Sequence, residues 1–375
     1  MYCPKCNMQL LHGEICEYFP SHRSIPHYPS PLKQRYPCKH PRRNTVTVCA
    51  AAICEGGVVI SISDRMITTG DIEFEPPQRK VWNLTSSVSV LAAGDSTLQA
   101  EILQDVDATV KQRVFTEPAN WWRVRDVAEL YRGAYQDIKN RRAESAILAP
   151  LGLDHDSFVA NQADMEPSLV KSLVDELTQF SLTEVECIFV GTDTDGPVDP
   201  KTGSPGIYTH IYVSHGGQVS CYDPIGFAAI GIGAWHAQSQ LMFARHTRLR
   251  PIWETLFSLY SAKKHAEVAP GVGKDTDMFS IGKNLGSRID FGDHVINELE
   301  RIYQESRTGT QAVIAHAESE TKSFLEMIAK QAEEAGKGTA VSPLSSADSP
   351  NPQLTKADPP PPPPLQASPG GSGES

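Results

Sequence analysis

The 375-residue chain has no apolar run approaching the roughly 18 residues needed to span a bilayer, and residues 1–30 lack the apolar core of a signal peptide. Both absences argue against membrane insertion and secretion, so a soluble cytoplasmic protein is expected. Positive charge is scarce as well: 34 Lys and Arg against 45 Asp and Glu leave a net charge of −11. General nucleic-acid binding needs clustered cations to neutralise phosphates, and the single basic run, Lys39 to Arg43, is short enough to read as a solvated loop. The eight cysteines do not form a disulfide framework of the kind that staples small secreted domains. Cys49, Cys54, Cys187 and Cys221 sit in apolar, strand-like runs, where buried free thiols are common.

What is present divides the chain into four parts. Residues 1–44 are rich in Cys, His, Pro and Tyr and show no sustained periodicity. Cys3-Pro4-Lys5-Cys6 has the spacing with which two thiolates grip one tetrahedral zinc ion. The second ligand pair a structural site needs would have to come from Cys16, His22, His27, Cys38 and His40, which contain no second CxxC. The segment therefore reads either as a weak zinc knuckle or as a leader absent from the mature protein; no metal or cofactor is assigned. From Thr45 to about Glu300 the pattern is that of a folded domain, with an insertion at 149–183. A long polar helix is expected after Gly292 and up to about Ala335, with 301–335 as the C-terminal helical segment beyond the domain. Residues 336–375, with six consecutive prolines at Pro359 to Pro364, read as a solvated tail that cannot bury enough apolar surface to offset its ordering entropy.

Within the domain, Thr45 to Cys54 and Val58 to Asp64 flank a Glu55-Gly56-Gly57 turn, a hairpin signature. Lys80 to Leu84 and Val88 to Ala93 form a second strand pair. Helices are expected from Asp95 to Phe115, where Leu98, Ile102, Val106 and Val110 recur at helical spacing, and from Val124 to Ile147. Strands resume at Glu186 to Gly191, Ile207 to Val213, Gln218 to Tyr222 and Phe227 to Ile232. Two helices, Ala234 to Thr247 and Ile252 to Glu267, and a last strand, Met278 to Gly282, complete the order. Strands, helices, strands, helices and a strand suggest an α+β fold: a four-layer αββα sandwich, two antiparallel sheets face to face with helices outside.

Four features fall in a fixed order: a threonine-bearing first strand; Gly57 to Asp64 with Arg65 and Thr68-Thr69-Gly70; Arg79-Lys80-Val81; and Leu91-Ala-Ala-Gly94-Asp95-Ser96 at a helix start. This series resembles proteasome β subunits and their bacterial two-ring relative, members of the N-terminal-nucleophile hydrolase fold. The Asp64-to-Lys80 and Lys80-to-Gly94 separations equal the family's. Phe189 to Asp193, Cys221 to Pro224 and Ala229 to Gly233 extend the similarity, which covers about two-thirds of the chain.

The resemblance implies a threonine freed at the chain's N-terminus that attacks a peptide carbonyl. A hydroxyl needs a base to take its proton; the threonine's own α-amine, with an ordinary pKa of about 7.7–8.0, would serve. A neighbouring lysine disfavours protonation of that amine, and a carboxylate holds the lysine. A glycine N–H facing the oxyanion is worth roughly 3 kcal/mol. Carried across, Lys80 is the tuning lysine, Asp64 its partner and Gly94 the oxyanion donor. One extra residue in the Cys54-to-Gly57 turn makes Thr47 the nucleophile; a longer insertion would make it Thr45. The family's Gly-Ser-Gly turn is Gly231-Ile232-Gly233 here, and its later Asp and Ser correspond to Glu267 and Pro270. Glu267 is the candidate for that carboxylate, and the assisting hydroxyls are absent.

Activity by this route requires removal of residues 1–46, or a true start different from Met1. The family's habits also imply a peptide or protein substrate, a homo-oligomeric ring and an ATPase partner, with no nucleic acid or membrane involved. Two other readings stay open: a non-catalytic proteasome-subunit-like protein with an assembly role, and an amidase of the same class with Cys49 as nucleophile.

Overall fold

A computed structural model describes residues 47–69, 72–75, 80–118, 121–198, 205–282 and 286–337. The leader with Cys3 and Cys6, Thr45, Gly70, Arg79 and the proline-rich tail lie outside these residues. Contacts divide the chain between Arg307 and Thr308.

The first unit is mixed α+β, with two five-stranded antiparallel sheets. β1 (Cys49–Cys54) and β2 (Val58–Asp64) form the expected hairpin around a single turn of 3-10 helix at Glu55–Gly57. Gly56 and Gly57 both take left-handed φ, at 72° and 67°, which the tight connection demands and which glycine adopts without a Cβ penalty. β10 (Phe227–Ile230) flanks β1, and β11 (Thr276–Gly282) and β12 (Arg288–Asp290) complete this sheet in the order β10-β1-β2-β11-β12. The second sheet runs β5 (Val81–Asn83), β6 (Val88–Gly94), β7 (Val185–Val198), β8 (Pro205–His215) and β9 (Gln218–Cys221). A separate ribbon pairs β3 (Ile67–Thr69) with β4 (Ile72–Phe74).

Why β1 reads Cys-Ala-Ala-Ala-Ile-Cys, with no polar alternation, follows from its position. All six residues are buried because both faces of the strand are covered. Cys49, Ala51 and Ile53 join Leu91, Ile188 and Ile211 in a core between the two sheets. Ala50, Ala52 and Cys54 face the opposite way. There they pack with Leu241 of α5 (Ala234–Phe243), Leu259 of α6 (Ile252–Ala266) and Leu299 of α7 (Asp293–Lys337). The outer face of the second sheet buries Val90 and Phe189 against Leu98 and Ile102 of α1 (Ser96–Thr116) and Tyr131 of α2 (Val124–Ala143). Three cores thus stack helices, sheet, sheet and helices. At about 25 cal/mol per Å² of apolar area removed from water, this double-sided burial of strands is the main source of cohesion.

Several local expectations differ from the structure. The helix over 124–147 stops at Ala143 and continues as a π turn, Glu144–Leu148, and a 3-10 turn, Ala149–Leu151. The insertion at 149–183, where the sequence suggests a short helix around Leu169 to Phe180, holds two helices, α3 (His155–Asn161) and α4 (Pro167–Gln179), around a small core of Leu148, Phe158 and Leu173. The polar C-terminal helix, expected after Gly292 and up to about Ala335, spans Asp293–Lys337. Cys49, Cys54 and Cys187 are buried free thiols, whereas Cys221 is exposed, because it closes the edge strand β9. No helix among the described residues is long and apolar enough to cross a membrane.

Candidate active site

Asp64 ends β2, and its residue is 0% exposed. A buried carboxylate is tolerated only when its oxygens are hydrogen-bonded and its charge is paired, and here both oxygens are engaged. Oδ1 accepts the Val48 N–H at 3.1 Å and pairs with the Lys80 ammonium at 2.9 Å. Oδ2 accepts the N–H groups of Gly273, at 2.8 Å, and Met66, at 3.3 Å. The Thr47 hydroxyl donates to Oδ1, and the Lys80 Nζ in turn donates to Thr47 Oγ1.

The backbone explains how these three groups meet. Val48 and Asp64 prolong the β1–β2 register, with the Asp64 N–H donating to the Val48 carbonyl at 3.1 Å. Thr47 is therefore one residue beyond the point where the hairpin strands part. Lys80 comes from the other sheet: it immediately precedes β5, which pairs Val81 with Leu91 of β6. The cluster lies where strand ends of the two packed sheets meet, so the stacking that builds the inner core also brings Lys80 to Asp64.

A second clamp holds the Thr47 main chain. Its carbonyl accepts the Gly233 N–H at 3.2 Å. Gly231, at φ 86°, lies so close to the same carbonyl that a Cβ would overlap it. Glu186 fixes that glycine by accepting its N–H at 2.7 Å, and its other oxygen meets His215 Nδ1 at 2.6 Å. The Gly231-Ile232-Gly233 turn acts here through backbone donors and close approach, which explains its glycines. Beside Asp64, Arg65 forms a two-pronged pair with Asp277 on β11, at 2.7 and 3.1 Å.

Of the residues singled out from sequence, Thr47, Asp64 and Lys80 are brought together. Gly94 ends β6 directly before α1, with φ at 112°. Its α-carbon packs on the Glu184 carbonyl, where a Cβ would clash. Asp95 then caps α1 by accepting the N–H groups of Thr97 and Leu98. Among the described residues, Glu267 forms no hydrogen bond or ion pair with Thr47, Asp64 or Lys80. It pairs with Lys263 at 2.7 Å and Lys264 at 2.9 Å. Cys49 lies two residues beyond Thr47, yet it is fully buried, and burial pushes its thiol far above the ordinary range. A thiol that resists ionisation is a poor nucleophile.

Sequence reading passed over Lys263, Gly273 and Glu186. Lys263 carried a signal in its i,i+4 spacing from Glu267, which suits an ion pair on one helix face. Gly271-Val272-Gly273 marked a place where backbone approaches closely. Among the described residues, no group of three or more His, Cys, Asp or Glu is arranged to hold a metal ion. No family model matches this sequence, and no curated protein matches it.

Proposed function

We propose that the chain is a threonine-type peptidase with the N-terminal-nucleophile fold, and that Thr47 becomes its nucleophile when residues 1–46 are removed. The observation that carries this reading is the meeting of the Thr47 hydroxyl, the Asp64 carboxylate and the Lys80 ammonium in one buried cluster. In the proposed cycle the freed Thr47 amine takes the hydroxyl proton as Oγ1 bonds to the substrate carbonyl carbon. The Gly94 N–H receives the oxyanion. The protonated amine then delivers its proton to the leaving nitrogen as the C–N bond breaks, leaving an ester on Thr47. Water, activated by the same amine, hydrolyses the ester. Lys80 keeps the amine from holding its proton, because a nearby positive charge disfavours the ammonium form.

Glu267 takes no direct part in this cycle. A closed homo-oligomeric ring belongs to the same reading, and sedimentation velocity tests it: a strictly monomeric profile counts against the ring.

A second reading, a non-catalytic relative acting in assembly, is favoured by one observation. Thr47 is 1% exposed, so the intact chain offers its hydroxyl no access to substrate. Peptide hydrolysis separates the two. Protein beginning at Thr47 should cleave unstructured peptides, and Thr47→Ala should lower the rate by about 10³-fold or more. Equal rates for wild type and Thr47→Ala would reject the peptidase.

A further inference from the structure

Lys263 is a charged side chain with no solvent exposure, in the middle of α6. Burying an ammonium is costly unless geometry and hydrogen bonds compensate. Burial pushes Lys263 below the ordinary lysine range, while Glu267 pulls the other way, with Asp64 adding in the same direction as Glu267. Two contacts use the charge. Nζ donates to Glu267 Oε1 at 2.7 Å and to the carbonyl of Lys274 at 2.6 Å.

That carbonyl belongs to the turn between α6 and β11. The turn reverses at Gly271, with φ at 81°, and the next glycine delivers its N–H to Asp64 Oδ2 at 2.8 Å. Gly273 packs so tightly that a Cβ would overlap the Glu75 carboxylate and touch Met66. Glu75 also accepts the Asp275 N–H at 3.2 Å. The turn is thus pinned from one side by Glu75 and from the core side by Lys263, with Gly273 between them facing Asp64.

We propose that Lys263 is a positioning residue for the nucleophilic site: anchored by Glu267, it grips the Lys274 carbonyl and fixes the turn whose Gly273 N–H aims Asp64 at Thr47 and Lys80. This rests on the reading of Thr47 as nucleophile, and it gives Glu267 an indirect role in place of a direct one. Gly273 holds one carboxylate oxygen while the threonine and lysine share the other. A turn free to drift lets the carboxylate rotate and breaks the alignment of all three groups. Lys263 touches no reacting atom, so its loss should lower kcat and leave KM unchanged.

The test uses Lys263→Met, which keeps the length of the side chain and removes the ammonium. Lys263→Met/Glu267→Gln is the second variant, in case the lone carboxylate unfolds the first. Amide hydrogen exchange in the full chain reads the turn without any need for activity. The Gly273 N–H should exchange about tenfold faster in the variant, the size of one hydrogen bond's net contribution, while Phe279 on β11 keeps its wild-type protection. In protein beginning at Thr47, peptide hydrolysis should show kcat lower by roughly 100-fold, as small misplacements of reacting groups do, at unchanged KM.

Unchanged Gly273 protection, or a uniform loss of protection that includes Phe279, would overturn the positioning role whatever the activity. Loss in KM alone would overturn it too. Should wild type beginning at Thr47 hydrolyse nothing, the peptidase reading fails by itself, and the exchange measurement still decides whether Lys263 holds the turn.

Discussion

Asp64 shows how one buried side chain can organise a site. Five donors converge on its two oxygens, from Thr47, Val48, Met66, Lys80 and Gly273, contributed by both sheets and by the turn before β11. Asp64→Ala leaves Lys80 without its carboxylate and several buried N–H groups unpaired. The expected loss is about 3–5 kcal/mol of stability, the range for breaking a buried pair from one side, read from urea unfolding. Gly94 makes a different demand. With φ at 112° and the Glu184 carbonyl against its α-carbon, Gly94→Ala should cost about 1–3 kcal/mol from backbone strain, and more if the clash is not relieved. A thermal melt of Gly94→Ala matching wild type would show that the strand end tolerates a side chain there. Thr47, Asp64 and Lys80 were reached through the resemblance to proteasome β subunits, Thr47 only by allowing one extra residue in the Cys54-to-Gly57 turn. Lys263 was passed over despite its i,i+4 spacing from Glu267, because its full burial depends on α6 packing on β1 and β2.

At the scale of elements, sequence pattern sufficed where a strand's own residues decide its fate. The hairpin of β1 and β2 and the β5–β6 pair were visible from apolar runs flanking turn residues. β12 was not: Arg288-Ile289-Asp290 is short and charged, and is held by a long-range latch. The Arg288 guanidinium lies 4.0 Å over the Phe279 ring and donates to Ser89 of the other sheet at 2.7 Å. The β7–β8 hairpin also runs past the expected ends, since pairing through irregular register beyond Asp193 overrides the turn character of Asp, Gly and Pro.

The link between α5 and α6 carries a pH dependence. His246 Nε2 meets the Ile53 carbonyl at 2.9 Å, while its Nδ1 is buried with no hydrogen-bond partner among the described residues. Burial lowers its pKa, and Arg250 adds to the effect against the opposing Ile53 bond. The neutral ring is the folded form, so its contribution is complete above the ordinary histidine pKa of about 6.5. It is lost as pH falls through the lowered folded value. Thermal melts should drop between about pH 7 and pH 5, and His246→Gln should flatten that slope; an unchanged slope would assign it to other groups. Asp95 and Asp223 add a second loss at lower pH. In both, hydrogen bonds to the carboxylate outweigh burial and hold its pKa down, so their contribution fades as pH falls below the ordinary carboxylate range.

At the scale of the molecule, the three cores, among the described residues, draw on α7 as far as Leu299 and Tyr303, before the division at Arg307. Truncation after Arg307 should therefore shift the melting temperature of the first unit by less than about 2 °C, since no core side chain is removed. A larger fall would show that residues 308–375 support it. The order of strands and helices was enough to foresee two stacked sheets with helices outside. It could not foresee which strand ends meet at the site, because that depends on how Lys80 of one sheet faces the hairpin of the other.

The central claim is that Thr47 becomes a nucleophile whose own amine is its base. A peptidyl epoxyketone tests both halves at once, because closing its six-membered ring needs a hydroxyl and the free amine beside it. After incubation, digestion and mass spectrometry should find the adduct on a peptide that begins at Thr47, and no adduct in Lys80→Met at equal reagent. Protein beginning at Thr47 that stays unlabelled, or an equal adduct in Lys80→Met, would contradict it.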